Sequence, residues 1–163
     1  MSVVISGNYS ATATATVGDD GKATLRFSDV PTGASIRATA CVIYPDNTMR
    51  YGSSSPIIVS EGENKAVINA TSVLDVSALS FSYVDDPSTY DPVLGYSMTS
   101  ICSVSGLPSI DGVSYRYLWA YDMEGEERTS TYSSLTRGPG MGSITCQLTV
   151  VTPAGNLVFN VSP

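Results

Sequence analysis

The sequence predicts an all-β protein of two tandem antiparallel β-sandwich domains. Three observations carry that expectation. Apolar and hydroxyl residues alternate with period 2 along most of the chain, which assigns them to opposite faces of strands. Clusters of Gly, Asp, Asn and Pro interrupt the alternation about every eight to twelve residues, as hairpin turns do in sandwiches. No segment longer than a turn shows the apolar spacing of an amphipathic helix.

The elements follow in order. Tyr9, Ala11, Ala13, Ala15 and Val17 alternate with Ser10, Thr12, Thr14 and Thr16, predicting a strand with one small apolar face and one hydroxyl face. Threonine at every second position disfavours a helix. Gly18-Asp19-Asp20-Gly21 supplies residues that tolerate the positive φ of a tight turn. A short strand then carries Ala23, Leu25 and Phe27, and Val30-Pro31-Thr32-Gly33 ends it. Ile36, Ala38, Ala40, Val42 and Tyr44 share one parity of a long strand. Cys41 falls on the other parity with Arg37 and Thr39, as a lone, semi-buried thiol. Pro45-Asp46-Asn47 turns into Thr48–Tyr51. Pro56 before Ile57-Ile58-Val59 marks an edge or a strand start, because proline cannot donate to a ladder. Glu61-Gly62-Glu63-Asn64 turns into a further strand over 65–70, and 71–77 reads as a linker.

Beyond that linker the composition changes. Residues 1–74 hold five basic and six acidic groups, whereas residues 75–163 hold three and nine. Seven of the ten tyrosines and the one tryptophan also lie in the second part. A boundary near residue 74 therefore separates a near-neutral N-terminal sandwich (1–74) from an acidic one (75–163). Domains of this size sit near the lower limit for an independent core, so a shared interface, a partner or a homo-oligomer is expected.

In the second part Tyr96, Met98, Ser100, Cys102 and Val104 share a parity. So do Val113, Tyr115, Tyr117, Trp119 and Tyr121, and likewise Ile144, Cys146, Leu148 and Val150. Cys102, Trp119 and Cys146 thus sit on the inward parity of three strands. This Cys…Trp…Cys order, with Gly, Pro and Asp turns between, resembles the immunoglobulin-like fold. Gly142–Val150 looks like its sixth strand, and Thr152-Pro153-Ala154-Gly155-Asn156 like its last hairpin turn. Ile144 stands where that fold places its tyrosine corner, and the short Trp119–Cys146 interval is similar to PKD-like, bacterial and phage modules. The resemblance implies that Trp119 marks the core and that Cys102 and Cys146 bridge the two sheets; two reduced, buried thiols are the alternative. Residues 7–70 loosely resemble the sandwich repeats of bacterial surface proteins, through Asp20–Leu25 and Asp29–Ala34.

Composition excludes several functions. The chain contains no histidine, which removes Ser-His-Asp and Cys-His chemistry and the commonest zinc ligand. Its net charge of −7 opposes nucleic-acid binding, and no apolar run approaches the roughly 20 residues of a membrane span. The start after Met1 lacks the basic and apolar regions of an export signal. Asp122–Glu127 and Asp85-Asp86 with Asp91 offer hard oxygen ligands for calcium, but their spacing follows no recognised loop, and solvated hairpin tips are expected. No cofactor is expected. Every glutamate lies in a turn-like stretch, so no catalytic carboxylate pair forms. The tyrosine stripe over 113–121 is expected to be core. Tyr90, Tyr132 and Tyr51 are the surface aromatics for a ligand or partner, and the flexible loop from Arg137 to Gly142 is either a segment that orders against a partner or a simple connector.

These readings point to a non-enzymatic structural or interaction protein. Phage particles often display immunoglobulin-like domains, so the resemblance implies a virion accessory protein, either capsid decoration or tail-associated, at the virion surface and within a protein assembly. The alternatives are an extracellular bacterial cell-surface or adhesin module, and a carbohydrate-binding module that contacts host-surface glycans.

Overall fold

The computed structural model describes residues 1–162 and is all-β, with 51% of residues in strands and 4% helical. The chain divides into two compact units. The first comprises Met1–Leu74 together with Ser109–Ser114 and Val151–Asn156; the second comprises Asp75–Pro108, Tyr115–Val150 and the chain from Leu157 onward.

The first unit is built on one antiparallel sheet of β1 (Ser2–Gly7), β2 (Ala11–Thr14), β3 (Ser35–Ile43), β4 (Met49–Ser53), β5 (Ile57–Ile58) and β6 (Ser72–Val73). The order is β2-β1-β3-β4-β6, with β5 also on β3. Register sets Val3 opposite Ala40 and Ile5 opposite Ala38, so small and branched residues alternate on one buried face. Proline 56 precedes β5, which pairs with β3 alone. At the turn after β3, Asn47 takes φ 63 and Asp46 accepts the Thr48 N–H at 3.0 Å.

Three expectations need correction here. Residues 23–27 and 65–70 form no ladder, although their side chains alternate toward and away from the core. Leu25, Phe27 and Ile68 instead pack onto Val3, Ala38 and Ala40. Alternation arises there because one side of an extended strap rests on a sheet; backbone pairing is not required. The expected linker over 71–77 begins as β6 on β4, and Leu74 is buried with its N–H on the Met49 carbonyl at 2.9 Å. Only then does Asp75 cap a single 3-10 turn, Val76–Ala78.

Cys41 is also fully buried rather than semi-buried, at 2% exposure beside Thr39 and Ser2. The reason is that both faces of β3 are covered. On this second face Ser6 Oγ donates to Asp111 Oδ2 at 2.7 Å, and Gly112 sits against Val4, where a β-carbon would collide. Segment 109–114 is thus the lid on the outer face of the first unit's own sheet.

The second unit contains β7 (Ser80–Asp85), β8 (Tyr90–Asp91), β9 (Tyr96–Ser97), β10 (Ser100–Ser105), β12 (Glu126–Ser130) and β13 (Ser134–Arg137), and most of β11 (Ser114–Met123), β14 (Met141–Thr152) and β15 (Gly155–Val161), whose residues 114, 151–152 and 155–156 fall in the first unit. Their sheets run β13-β10-β7 and β12-β11-β14-β15, with β8-β9 as a separate ribbon. Cys102 and Leu135 from the first sheet meet Trp119, Ile144 and Cys146 from the second in one buried cluster. Phe81 stands edge-on to Trp119, with centroids 5.4 Å apart. The indole N–H donates to the Tyr132 carbonyl at 2.8 Å, which satisfies its one polar atom inside the core.

Candidate functional site

β7 and β10 pair from Ser80↔Ser105 to Asp85↔Ser100. The excursion between them, residues 86–99, is held by the β8-β9 ladder, by further backbone bonds such as Asp86 N–H to the Thr99 carbonyl at 3.0 Å, and by its own polar side chains. Asp86 accepts the Ser88 hydroxyl at 2.7 Å and its N–H at 3.0 Å, and these bonds hold its carboxyl below the usual range. Thr89 and Thr99 join through their hydroxyls at 3.0 Å. Asp91 accepts the N–H groups of Val93 at 2.8 Å and Leu94 at 3.2 Å, and Gly95, at φ 78, closes the turn.

With its polar groups turned inward, the hairpin presents apolar groups outward. Val93 is 91% exposed, Tyr96 57%, Tyr90 56%, and Leu94 and Met98 50% each. Isolated exposed apolar residues are ordinary, but five lie in this one short hairpin. The pairing of Tyr90 with Ser97 and of Asp91 with Tyr96 puts the two tyrosines on opposite faces of the ribbon, so apolar groups flank it on both sides. Tyr96 and Met98 are a correction to the sequence reading, which placed them on the inward parity with Cys102. The bonds of Thr99 to Thr89 break the strand between Ser97 and Ser100, so parity does not carry across.

The same end of the unit collects charge. Arg137, opposite Ser100 in β13, lays its guanidinium 5.3 Å from the centroid of the Tyr83 ring. The Glu124 N–H donates to the Gly140 carbonyl at 3.5 Å, which sets the β11–β12 tip beside the loop after Arg137. Glu124 and Gly125 both take positive φ, 56 and 84, as a two-residue hairpin turn requires. Asp85, Asp86 and Asp91, in and beside the hairpin, and Asp122, Glu124, Glu126 and Glu127, at the β11–β12 tip, therefore lie toward the same end of the unit. Of the two cations there, Arg128 is engaged by Glu126 at 3.2 Å. Among the described residues, no three acidic or thiol groups converge as metal ligands would.

The structure brings Tyr90 and Arg137 to one end and leaves Tyr132 at the other. β13 pairs Arg137 with Ser100 and Ser134 with Ser103, so Tyr132, 79% exposed, lies beyond the opposite end of β13. Tyr51 is half-buried in β4 rather than a surface aromatic. Tyr115 and Tyr117 are half-buried and, with Leu118, Gln147 and Thr149, line a shallow depression of about 510 Å³. Sequence reasoning missed Val93 and Leu94. Their signal was present, since Pro92-Val93-Leu94-Gly95 puts two large aliphatics where a turn ordinarily carries polar residues.

Cys102, Cys146 and Cys41 are buried free thiols. Burial pushes Cys41 and Cys146 up to about 11 and raises Cys102 as well. At pH 8 all three remain neutral and shielded. A thiol reagent should find none in the native protein and three in denaturant without reductant; a single titrating thiol would establish the Cys102–Cys146 bridge instead. The raised values also carry a sign for stability. The folded state retains these protons more tightly, so their contribution is complete below the unfolded thiol range and is lost as pH climbs toward 11.

A scan against protein-family models and searches of curated proteins and of solved structures found no match to this chain.

Proposed function

We propose that this chain is a non-enzymatic structural and interaction protein, an accessory component of a phage virion that displays its acidic second unit and docks through its near-neutral first unit. The observation that carries the binding role is the inverted hairpin, whose polar side chains close its own turns while Tyr90, Val93, Leu94, Tyr96 and Met98 face solvent. The surrounding carboxylates select a protein partner whose contact patch is apolar with a Lys or Arg rim.

The immunoglobulin-like reading is supported by strand order. Leaving aside the β8-β9 ribbon, the first, second and fifth strands of the second unit form one sheet, and the third, fourth, sixth and seventh form the other. Cys102, Trp119 and Cys146 lie on the second, third and sixth, as in immunoglobulin-like sandwiches. The virion assignment rests on that likeness together with the low-charge, hydroxyl-rich composition.

Mass spectrometry of gradient-purified particles from the source tests the assignment. Recovery of the chain with capsid or tail proteins is expected. Recovery in a bacterial envelope fraction would favour the cell-surface adhesin, and glycan-array binding lost on Tyr90→Ala or Tyr132→Ala would favour carbohydrate recognition. Within the particle, Val93→Ser combined with Leu94→Ser should leave the unfolding midpoint almost unchanged, since both side chains are exposed. The same pair should weaken binding of the displayed unit's protein partner roughly tenfold or more, without releasing the chain from the particle, on which the first unit docks.

A further inference from the structure

The two edges of the four-stranded sheet are built differently. β12 carries Glu126, Glu127 and Arg128 within its five residues, and charges of this kind discourage pairing with a foreign strand. β15, at the other edge, reads Gly155-Asn156-Leu157-Val158-Phe159-Asn160-Val161, without a charge or a proline. Its neighbour supplies no protection either, because residues 138–163 contain no Asp, Glu, Lys or Arg. Alternate N–H and C=O groups of an edge strand point away from the sheet, and no further strand pairs with β15 among the described residues.

We infer that β15 is the interface for a second copy of this chain, the two β15 strands pairing antiparallel across a two-fold axis. Pairing centred on Val158 sets Leu157 opposite Phe159 and Asn156 opposite Asn160. Directly opposed residues share a face. Leu157 and Phe159, buried and half-buried in the single chain, therefore stay on the core side, while exposed Val158 meets its own copy outside. Two four-stranded sheets become one continuous sheet, and both unguarded edges disappear.

Charge selects the occupant. Every charged residue of 75–163 precedes position 138, so neither β15 nor its neighbour β14 brings like charges together when two copies of this acidic chain meet here. A cationic partner finds no counter-charge on β15, whereas the strand is complementary to itself. The inference stands apart from the hairpin, which uses other residues at another edge of the unit.

Sedimentation equilibrium from about 1 to 100 µM tests it. The wild-type mass should move from 17.1 kDa toward twice that value. Val158→Lys and Val158→Glu should each stay monomeric, because like charges meet at the axis, and an equimolar mixture should regain the dimer through Lys–Glu pairing. Val67→Lys, at an 85% exposed position of the first unit, should dimerise like wild type. Circular dichroism verifies that each variant is folded. A wild-type protein monomeric throughout, a Val158→Lys dimer as strong as wild type, or a dimer abolished by Val93→Ser would overturn the inference.

Discussion

Replacing Trp119 with alanine should destabilise the second unit by about 3–5 kcal/mol. The indole is fully buried among Cys102, Leu135, Ile144 and Cys146, with Phe81 at its edge and Tyr117 stacked 6.5 Å away. Alanine leaves a void that strands from two sheets cannot close together, since each is held by its own ladder. It also strands the Tyr132 carbonyl, which otherwise accepts the indole N–H. Trp119→Phe separates the two effects, because it keeps most of the ring and removes the donor; a loss nearer 1–2 kcal/mol is expected. Urea denaturation followed by circular dichroism measures both. A Trp119→Ala protein within 1 kcal/mol of wild type would refute this packing.

Gly7→Ala should have the largest effect in the first unit, about 2–4 kcal/mol. Gly7 ends β1 at φ 120, a backbone conformation that L side chains rarely adopt. A β-carbon there would run into the Ser35 carbonyl oxygen, the group that also accepts the Asn8 N–H at 3.1 Å. Strain and steric conflict thus fall on the point where β1 joins β3. Cys41 provides the readout, since it is buried in the same sheet opposite Ser2. Its labelling by a thiol reagent should accelerate in Gly7→Ala while Trp119 fluorescence, which reports the second unit, stays native. Equal labelling rates would show that the β1–β3 junction tolerates a side chain.

The sequence disclosed faces more readily than ladders. Ile36, Ala38, Ala40 and Val42, and likewise Ile144, Cys146, Leu148 and Val150, are buried as their parity predicts. Phe27 and Ile68 follow the same rule without any strand partner, because alternation records which side of a chain touches a core. The burial of Cys41 was legible in another form. Thr39-Ala40-Cys41-Val42 is an uninterrupted run of small or apolar residues, the pattern of a strand covered on both faces. Its lid comes from residues 109–114, far along the chain, and no local pattern announces such a partner. The hairpin was obscured differently. Parity counted from Cys102 back to Met98 and Tyr96 assumes an unbroken strand, and the Thr89–Thr99 contact breaks it.

That distant lid bears on how the gene can be divided. A chain cut after Leu74 encodes the strands of the first unit without residues 109–114 and 151–156, which belong to it. Such a fragment would leave Ser6 and Thr39 without Asp111 and Val4 without Gly112 against it. The two units are therefore not interchangeable beads that recombination can shuffle at a single crossover.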